Sequence, residues 1–339
     1  MNSKNDHLNL VMHTEIPDLP DLAFRLYRNE NDIPIIADIG QRCLDADKIE
    51  TLWTTDEVAR MIEHLPNFNP EKDVLFATIA DEVVGYIRVH WAQELEGARI
   101  YFHNGCVLPH WRRKGIGSAL LRFGQQRLRA IAAQHPSDGL QAFQSWHADT
   151  EDGTRALFEA DGYEPARYSF EMERSLGDLP PEVPLPQGLE LRPARPEHYR
   201  AIWEALDEAF QDHWGYVPAK DSQYEWWMKS PTFQPDLWKV AWDGDQVAGM
   251  VLNYIDHDEN ARYNRKRGYT EDICVRRPWR KQGLARALLI QSLYTLKGMG
   301  MKEACLDVDT ENLSGALRLY QGVGFQAVKR YTTYRKPIS

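Results

Sequence analysis

The sequence predicts two homologous α/β domains in tandem, and three observations carry that expectation. The chain repeats itself: Val107 and Val275, Trp111 and Trp279, Arg112 and Arg280, and Gly115 and Gly283 each stand 168 residues apart. Its 339 residues are long for a single core. Between the copies, residues 176–187 lie within a stretch carrying four prolines (SLGDLPPEVPLPQG). Proline can neither donate to a ladder nor sit inside a helix, so this stretch reads as an extended linker. The expected division is a polar lead-in 1–20, a first domain 21–175, the linker 176–187 and a second domain 188–339.

Each element has its own signal. Residues 22–28 (LAFRLYR) alternate and read as a strand. Residues 32–44 and 55–64 have helical spacing, the second capped by Thr54 or Thr55. The apolar run 74–79, a turn at Asp81-Glu82 and the run 83–91 form a hairpin, and 100–107 is a third strand. Past a basic glycine turn, Leu120, Leu121, Phe123, Leu128 and Ile131 recur at helical spacing. Residues 141–146 read as a strand, 154–161 as a short helix ending at Gly162-Tyr163, and 168–172 as the strand that closes the first half. After the linker the order recurs. A strand at 189–192 is followed by helices at 196–210 and 222–228. Hairpin strands 237–242 and 246–255 then flank Asp243-Gly244-Asp245. Strand 268–275, helix 286–297, strand 303–308, helix 313–321 and closing strands within 325–336 complete the copy.

Composition narrows the function classes. A formal charge of −10 argues against a general nucleic-acid binder, which needs a basic face. It fits steering of a cationic small substrate, and equally solubility alone. With no apolar leader and no run of 18 apolar residues, the expectation is a cytoplasmic protein without membrane contact. Cys43, Cys106, Cys274 and Cys305 form no C-x-x-C pair and read as buried free thiols, with no metal site implied.

The segment from Val275 to Leu288 is the end of an apolar strand, a basic turn and the start of a helix. A helix start offers unpaired N–H groups and partial positive charge, and glycine lets the backbone approach an anion. Arg280 and Lys281 add full charge there. The segment therefore reads as a phosphate cradle, and the run from Val107 to Leu121 is its second copy.

Both turns, Arg-x-x-Gly-x-Ala and its counterpart, resemble the pyrophosphate loop of the GNAT superfamily of N-acetyltransferases. Residues 310–325 (TENLSGALRLYQGVGF) resemble the segment that follows it in that family, N-x-x-A-x-x-L-Y-x-x-x-G-F. The tandem arrangement is similar to mycothiol synthase-like two-domain members, an architecture that serves other acceptors too. The resemblance implies that each domain is a mixed, mostly antiparallel, splayed sheet flanked by helices. It implies acetyl-CoA as co-substrate, held by the strand end at Cys274 and Val275 and by Arg280, Lys281, Gln282, Gly283, Leu284 and Ala285. Asn312 matches a residue that bonds the pantetheine arm, or caps the next helix. The implied reaction is direct transfer of acetyl to a primary amine of a small molecule.

Roles for single residues follow from the same resemblance. The amine must lose a proton, and the departing thiolate is helped by one. Glu271, with Tyr269 on its face of the strand, matches the family's base position, and Asp272 points the other way if alternation holds. The bland alternative is a solvated strand-end carboxylate. Tyr320 matches the tyrosine facing the CoA sulfur, its alternative being core packing. In the first copy Phe158 stands for Tyr320 and Thr150 for Asn312. Val107, Arg112, Arg113, Lys114, Gly115 and Gly117 are intact, so that copy retains a possible CoA cradle, and His103 is a base or a structural histidine. Catalysis is therefore expected in the second copy. The acceptor is expected between its early helices, near Asp212, His213, Trp214 and Tyr216, where acids interleave with aromatics. The run Arg262 to Arg267 reads as a solvated loop or a contact to the CoA 3′-phosphate. A monomer or homodimer is expected. Rival readings are a non-catalytic acetyl-CoA sensor and a protein or peptide N-acetyltransferase.

Overall fold

The computed structural model describes residues 17–312 and 315–338, so most of the predicted lead-in lies outside the described residues. The chain divides into two compact units, residues 1–166 with 332–339, and residues 167–331.

Unit 1 holds strands β1 (Leu22–Leu26), β2 (Val74–Ile79), β3 (Glu82–Gln93), β4 (Arg99–Val107) and β5 (Gln141–Ala148), paired in that order. Its helices are α1 (Ile33–Ala46), α2 (Thr55–His64), the single turn α3 (Pro70–Asp73), α4 (Ile116–Ala132) and α5 (Asp152–Ala160). Thr54 caps α2 in a reciprocal box with Glu57, which settles the choice between Thr54 and Thr55. The unbroken apolar run of β2 is explained by covered faces on both sides. Val74 and Phe76 pack with α1 and α2, while Leu75 and Ala77 pack with Ile116, Leu120 and Phe123 of α4.

Unit 2 follows the same plan. It contains β7 (Glu190–Leu191), β8 (Lys239–Asp243), β9 (Gln246–Tyr254), β10 (Arg267–Val275) and β11 (Glu303–Asp309), with helices α6 (Tyr199–Phe210), α7 (Asp221–Met228), α8 (His257–Arg262), α9 (Leu284–Gly298) and α10 (Ala316–Gly322). Helix α8 is absent from the sequence reading, and α10 begins at Ala316 rather than at 313. One sheet face packs on Ile202, Ala205, Leu206 and Ala209 of α6, the other on Leu284, Leu288, Leu289 and Leu293 of α9. The ladders β4/β5 and β10/β11 are parallel, and the hairpin ladders around them are antiparallel.

The unit boundaries differ from the expected ones. Strand β6 (Glu164–Ser175) was expected to close the first half, yet its residues Ser169–Ser175 pair with β11 in unit 2. Strand β12 (Gln326–Pro337) delivers its last residues to unit 1, where Tyr334 joins a buried cluster with Phe143 and Phe158. The proline-rich stretch carries no helix or strand, as expected of an extended linker, but it lies packed on unit 2. Leu176 is 1% exposed, and Leu179, Val183, Leu185 and Leu189 pack on the clusters of unit 2. Backbone carbonyls of Gly177 and Pro180 accept from Lys297 and Tyr294 of α9. Prolines removed ladder bonding while the residues between them supplied apolar anchors. Among the described residues, no helix is long and apolar enough to cross a membrane.

A buried anchor on this stretch has a measurable cost. Leu176→Ala should destabilise unit 2 by about 2–4 kcal/mol and lower the thermal unfolding midpoint, whereas a truly solvated linker residue would change nothing.

Candidate active site

In unit 2 the two parallel strands separate. β10 pairs with β11 only from Arg267 to Tyr269, against Glu303 to Cys305. Beyond that point β10 runs on to Val275 with β9 alone beside it. A bulge between Glu271 and Cys274 shifts the register, and Asp272 sits at φ 48 within it. Aspartate tolerates this left-handed backbone better than most residues. Strict alternation therefore stops at Glu271. Tyr269 and Glu271 do share a face: Tyr269 stacks on Tyr254 at 4.7 Å, and the charge of Glu271 bears on the Tyr254 hydroxyl.

Glu271 is half-buried and belongs to a group of carboxylates. Burial raises its pKa well above the ordinary range, and Asp307, Asp272 and Glu171 push in the same direction. Burial pushes Asp272 up to about 6, and burial with Glu171 pushes Asp307 up to about 6. A carboxylate so placed is, in its ionised form, a stronger base than a solvated one, which suits a group that must accept a proton during reaction. Tyr320, on α10, is 5% exposed and packs edge-on against Phe325 at 6.4 Å. Burial raises its pKa, followed by Glu271 and the Cys274 thiol, so the phenol stays protonated and lies within their field. Core packing of Tyr320 is thus observed, and it leaves the hydroxyl within the field of Glu271. Asn312 does not cap α10, whose N-cap is Gly315 at φ 75; its carbonyl accepts from the Gly315 N–H at 3.2 Å.

The basic turns have one geometry in both units. Lys281 and Gly283 have φ 62 and 86, and Arg113 and Gly115 repeat those values. Helices α9 and α4 start immediately afterwards, on buried Leu284 and Ile116. Lys281, Gln282 and Gly283 are exposed, and a Cβ on Gly283 would meet nothing within 4 Å. A Cβ on Gly115 would meet Pro17 at 2.8 Å. Gly117 sits in the first turn of α4.

Arg280 does something other than add charge at a phosphate. Its Nε donates to the Val275 carbonyl at 2.9 Å and its Nη1 to Asp212 at 2.6 Å. Arg112 does the same in unit 1, to the Val107 carbonyl at 2.9 Å and in a fork to Asp47 at 2.6 and 2.8 Å. Asp212, expected at the acceptor, is thereby part of the turn. Hydrogen bonds from Arg277 and then Arg280 hold its carboxyl well below the usual range. The overlooked signal was that Asp47 and Asp212 each follow the first helix of their copy.

The other acceptor candidates scatter. The Tyr216 hydroxyl donates to Asp207 at 2.6 Å, stapling its loop. His213 is half-buried against Phe210 at 4.3 Å, its pKa lowered by burial. Trp214 is exposed, with the Arg167 guanidinium 5.6 Å over its ring. On the face of Glu271 stand instead Tyr254 and Tyr269, the Tyr269 hydroxyl donating to Glu259, which Arg265 also bonds at 2.6 Å. The run from Arg262 is not a solvated loop throughout. Arg267 is 4% exposed and bonds Glu303 at 2.8 Å, because β10 starts there and α8 packs before it.

Unit 1 differs in its side chains. Its β4 pairs with β3 from Val107 to Arg99 without a bulge. His103 is buried, bonds the Tyr163 hydroxyl at 2.7 Å, and is pushed down to about 3 by burial, which makes it structural. Phe158 is packed in the core. All four cysteines are free thiols, and among the described residues no acid, histidine and cysteine group is placed to hold a metal.

Comparison with known proteins agrees with this architecture. The acetyltransferase (GNAT) family model matches residues 199–325, and a GNAT acetyltransferase domain model matches residues 70–165. Together they span more than half of the chain, which belongs to the GNAT acetyltransferases and carries their domain twice. It is an acyltransferase of a family that uses acetyl-CoA. A mycothiol acetyltransferase of Geodermatophilus obscurus is 29% identical over 260 residues, covering 75% of this chain and 79% of that protein. A GCN5-related N-acetyltransferase from Sphaerobacter thermophilus superposes with a TM-score of 0.71 at 26% identity, over 95% of this chain and 96% of its own. A tandem GNAT protein from the clavulanic acid biosynthesis pathway shares the fold, with a TM-score of 0.61 at 16% identity over 93% and 98%.

The bulge carboxylate makes a pH prediction. Asp272 titrates near 6 in the folded chain and near 3.9 unfolded, so its contribution is present below about pH 4 and lost as pH rises through 6. Asp272→Asn, which keeps a residue tolerant of positive φ, should gain about 1–2 kcal/mol at pH 8 and nothing at pH 4, read from melts across pH.

Proposed function

We propose that unit 2 transfers the acetyl group of acetyl-CoA to a primary amine of a small molecule, by direct attack while both substrates are bound. The observation supporting this reading is that the charge of Glu271, just past the point where β10 leaves β11, bears on the Tyr320 phenol, while unit 1 has Phe158 for Tyr320 and, by strand pairing counted from Gly85 and Gly249, Asn104 rather than His103 for Glu271. The N–H groups of Gln282 to Ala285 would hold the pyrophosphate, a role the open backbone at Gly283 fits. The end of β10 at Cys274 and Val275 would bond the pantetheine amides.

The chemistry then runs on this chain's own groups. Glu271 takes a proton from the ammonium form of the acceptor, and the freed nitrogen forms a bond to the thioester carbon. The carbon–sulfur bond breaks, Tyr320 gives its proton to the departing sulfur, and the second proton shed by the new amide nitrogen returns through solvent to the Tyr320 phenolate. Raised pKa values on both groups keep the phenol loaded and make the carboxylate a stronger base than a solvated one. The aromatic pair Tyr254–Tyr269 beside Glu271 supplies a cation-attracting wall. The name of the relatives, mycothiol acetyltransferase, is the reason to test amino-sugar conjugates first as acceptors, with aminoglycosides, polyamines and amino acids beside them.

Consumption of acetyl-CoA over that amine panel tests the activity. Tyr320→Phe should lower kcat about 10²-fold with acetyl-CoA affinity nearly intact, and unchanged turnover would remove the assigned role. Glu271→Gln should lower kcat/KM about 10²–10⁴-fold and abolish the rise of rate with pH through its raised titration.

A further inference from the structure

The faces of the two units that carry the early helices share a scaffold and differ in charge. In unit 2, Leu252 pairs with Glu271 and Tyr254 with Tyr269. Gly85 pairs with Val107 as Gly249 pairs with Val275, and counting from these glycines gives the counterparts in unit 1. Arg88 lies opposite Asn104, and His90 opposite Phe102. The aromatic pair is reproduced closely: His90 stacks on Phe102 at 4.6 Å and 10°, Tyr254 on Tyr269 at 4.7 Å and 10°. An amide thus stands where the carboxylate was, and a guanidinium where a leucine was.

Arg88 is the anomaly. Alternation along β3 puts it and His90 on the face of Tyr86, which packs with α1 and α2. Arg88 is half-buried; its Nη1 is buried and donates no hydrogen bond among the described residues, and Tyr86, not a carboxylate, is the titratable group bearing on it. The buried Nδ1 of His90 likewise has no partner there, and burial with Arg88 pushes that ring down to about 3, leaving it neutral. Arginine does not shed its proton in proteins, so the positive charge stays. A desolvated cation without a counter-ion is costly, and the ordinary remedy is a paired anion.

We propose that this face of unit 1 binds a small organic anion, its carboxylate or phosphate seated on the Arg88 guanidinium beside the flat His90–Phe102 pair. The site repels the ammonium that Glu271 would attract in unit 2. Binding is read directly, so the inference stands or falls independently of acetyl transfer.

The test uses the full chain in low-chloride buffer, with benzoate and inorganic phosphate as probes. Saturating probe should raise the thermal midpoint of the wild type by on the order of 2–4 °C and leave Arg88→Met unmoved. A response to benzoate alone identifies a carboxylate ligand, and a response to phosphate alone a phosphate ligand. Arg88→Lys, which keeps the charge but loses the planar fork, should show a smaller rise and guards against a folding defect in the methionine variant. Without probe, Arg88→Met should melt no lower than the wild type, since it removes an uncompensated buried charge. Equal shifts in wild type and Arg88→Met, or no shift with either probe, would overturn the proposal.

Discussion

The site of unit 2 depends on one clamp, the Arg280 guanidinium between the Val275 carbonyl and the Asp212 carboxylate. A strand that leaves its parallel neighbour loses ladder partners, and its terminal carbonyl needs a donor. Arginine can reach that carbonyl and a carboxylate at once because its donors form a rigid fork. The clamp sets the angle between β10 and α9, with Lys281 and Gly283 turning the chain through positive φ in between. It also fastens the segment after α6 to the same turn. Arg112, Val107 and Asp47 repeat the arrangement in unit 1. The basic turn is therefore a structural joint first, and its exposed N–H groups are free for recognition because the arginine faces inward.

Much of the fold was legible because both faces of each sheet are covered. Residues 74–79 and 55–64 were placed to the residue, the one by an unbroken apolar run, the other by its cap. What stayed hidden is partner choice. Nothing in the sequence of 169–175 says that it pairs with 303–309 across more than a hundred residues. The proline stretch is extended as read, but proline reports missing ladder bonds and not packing; Leu176, Leu179, Val183 and Leu185 were the signal for that. Helix α8 is short and polar, and only Asp256 bonding the Glu259 N–H betrays it.

The site divides in the same way. Glu271 and Tyr320 were singled out by motif position; Glu271 lies just past the point where β10 parts from β11, and its charge bears on the Tyr320 phenol. The environment that tunes Glu271 was not legible, since Glu171 and Asp307 come from strands whose pairing only the fold reveals. Asp212 looked like an acceptor contact because it stands among aromatics. Its arginine partners lie 65 and 68 residues further along the chain. The bulge at Asp272 has no sequence signature beyond a residue type that tolerates it.

The duplication separates what the fold needs from what chemistry needs. The turn angles at Lys281 and Gly283 recur at Arg113 and Gly115, so that geometry answers to the strand–turn–helix path in both units. Side chains on the α1 and α6 faces are under no such constraint. There, Glu271 and Leu252 correspond to Asn104 and Arg88, while the stacked aromatic pair is retained on the same backbone. Two exchanged residues remove the carboxylate and leave a guanidinium with a buried, unbonded Nη1 on that face of unit 1, a desolvation cost that folding alone gives no reason to keep. A residue that merely filled space at position 88 would be apolar, as Leu252 is.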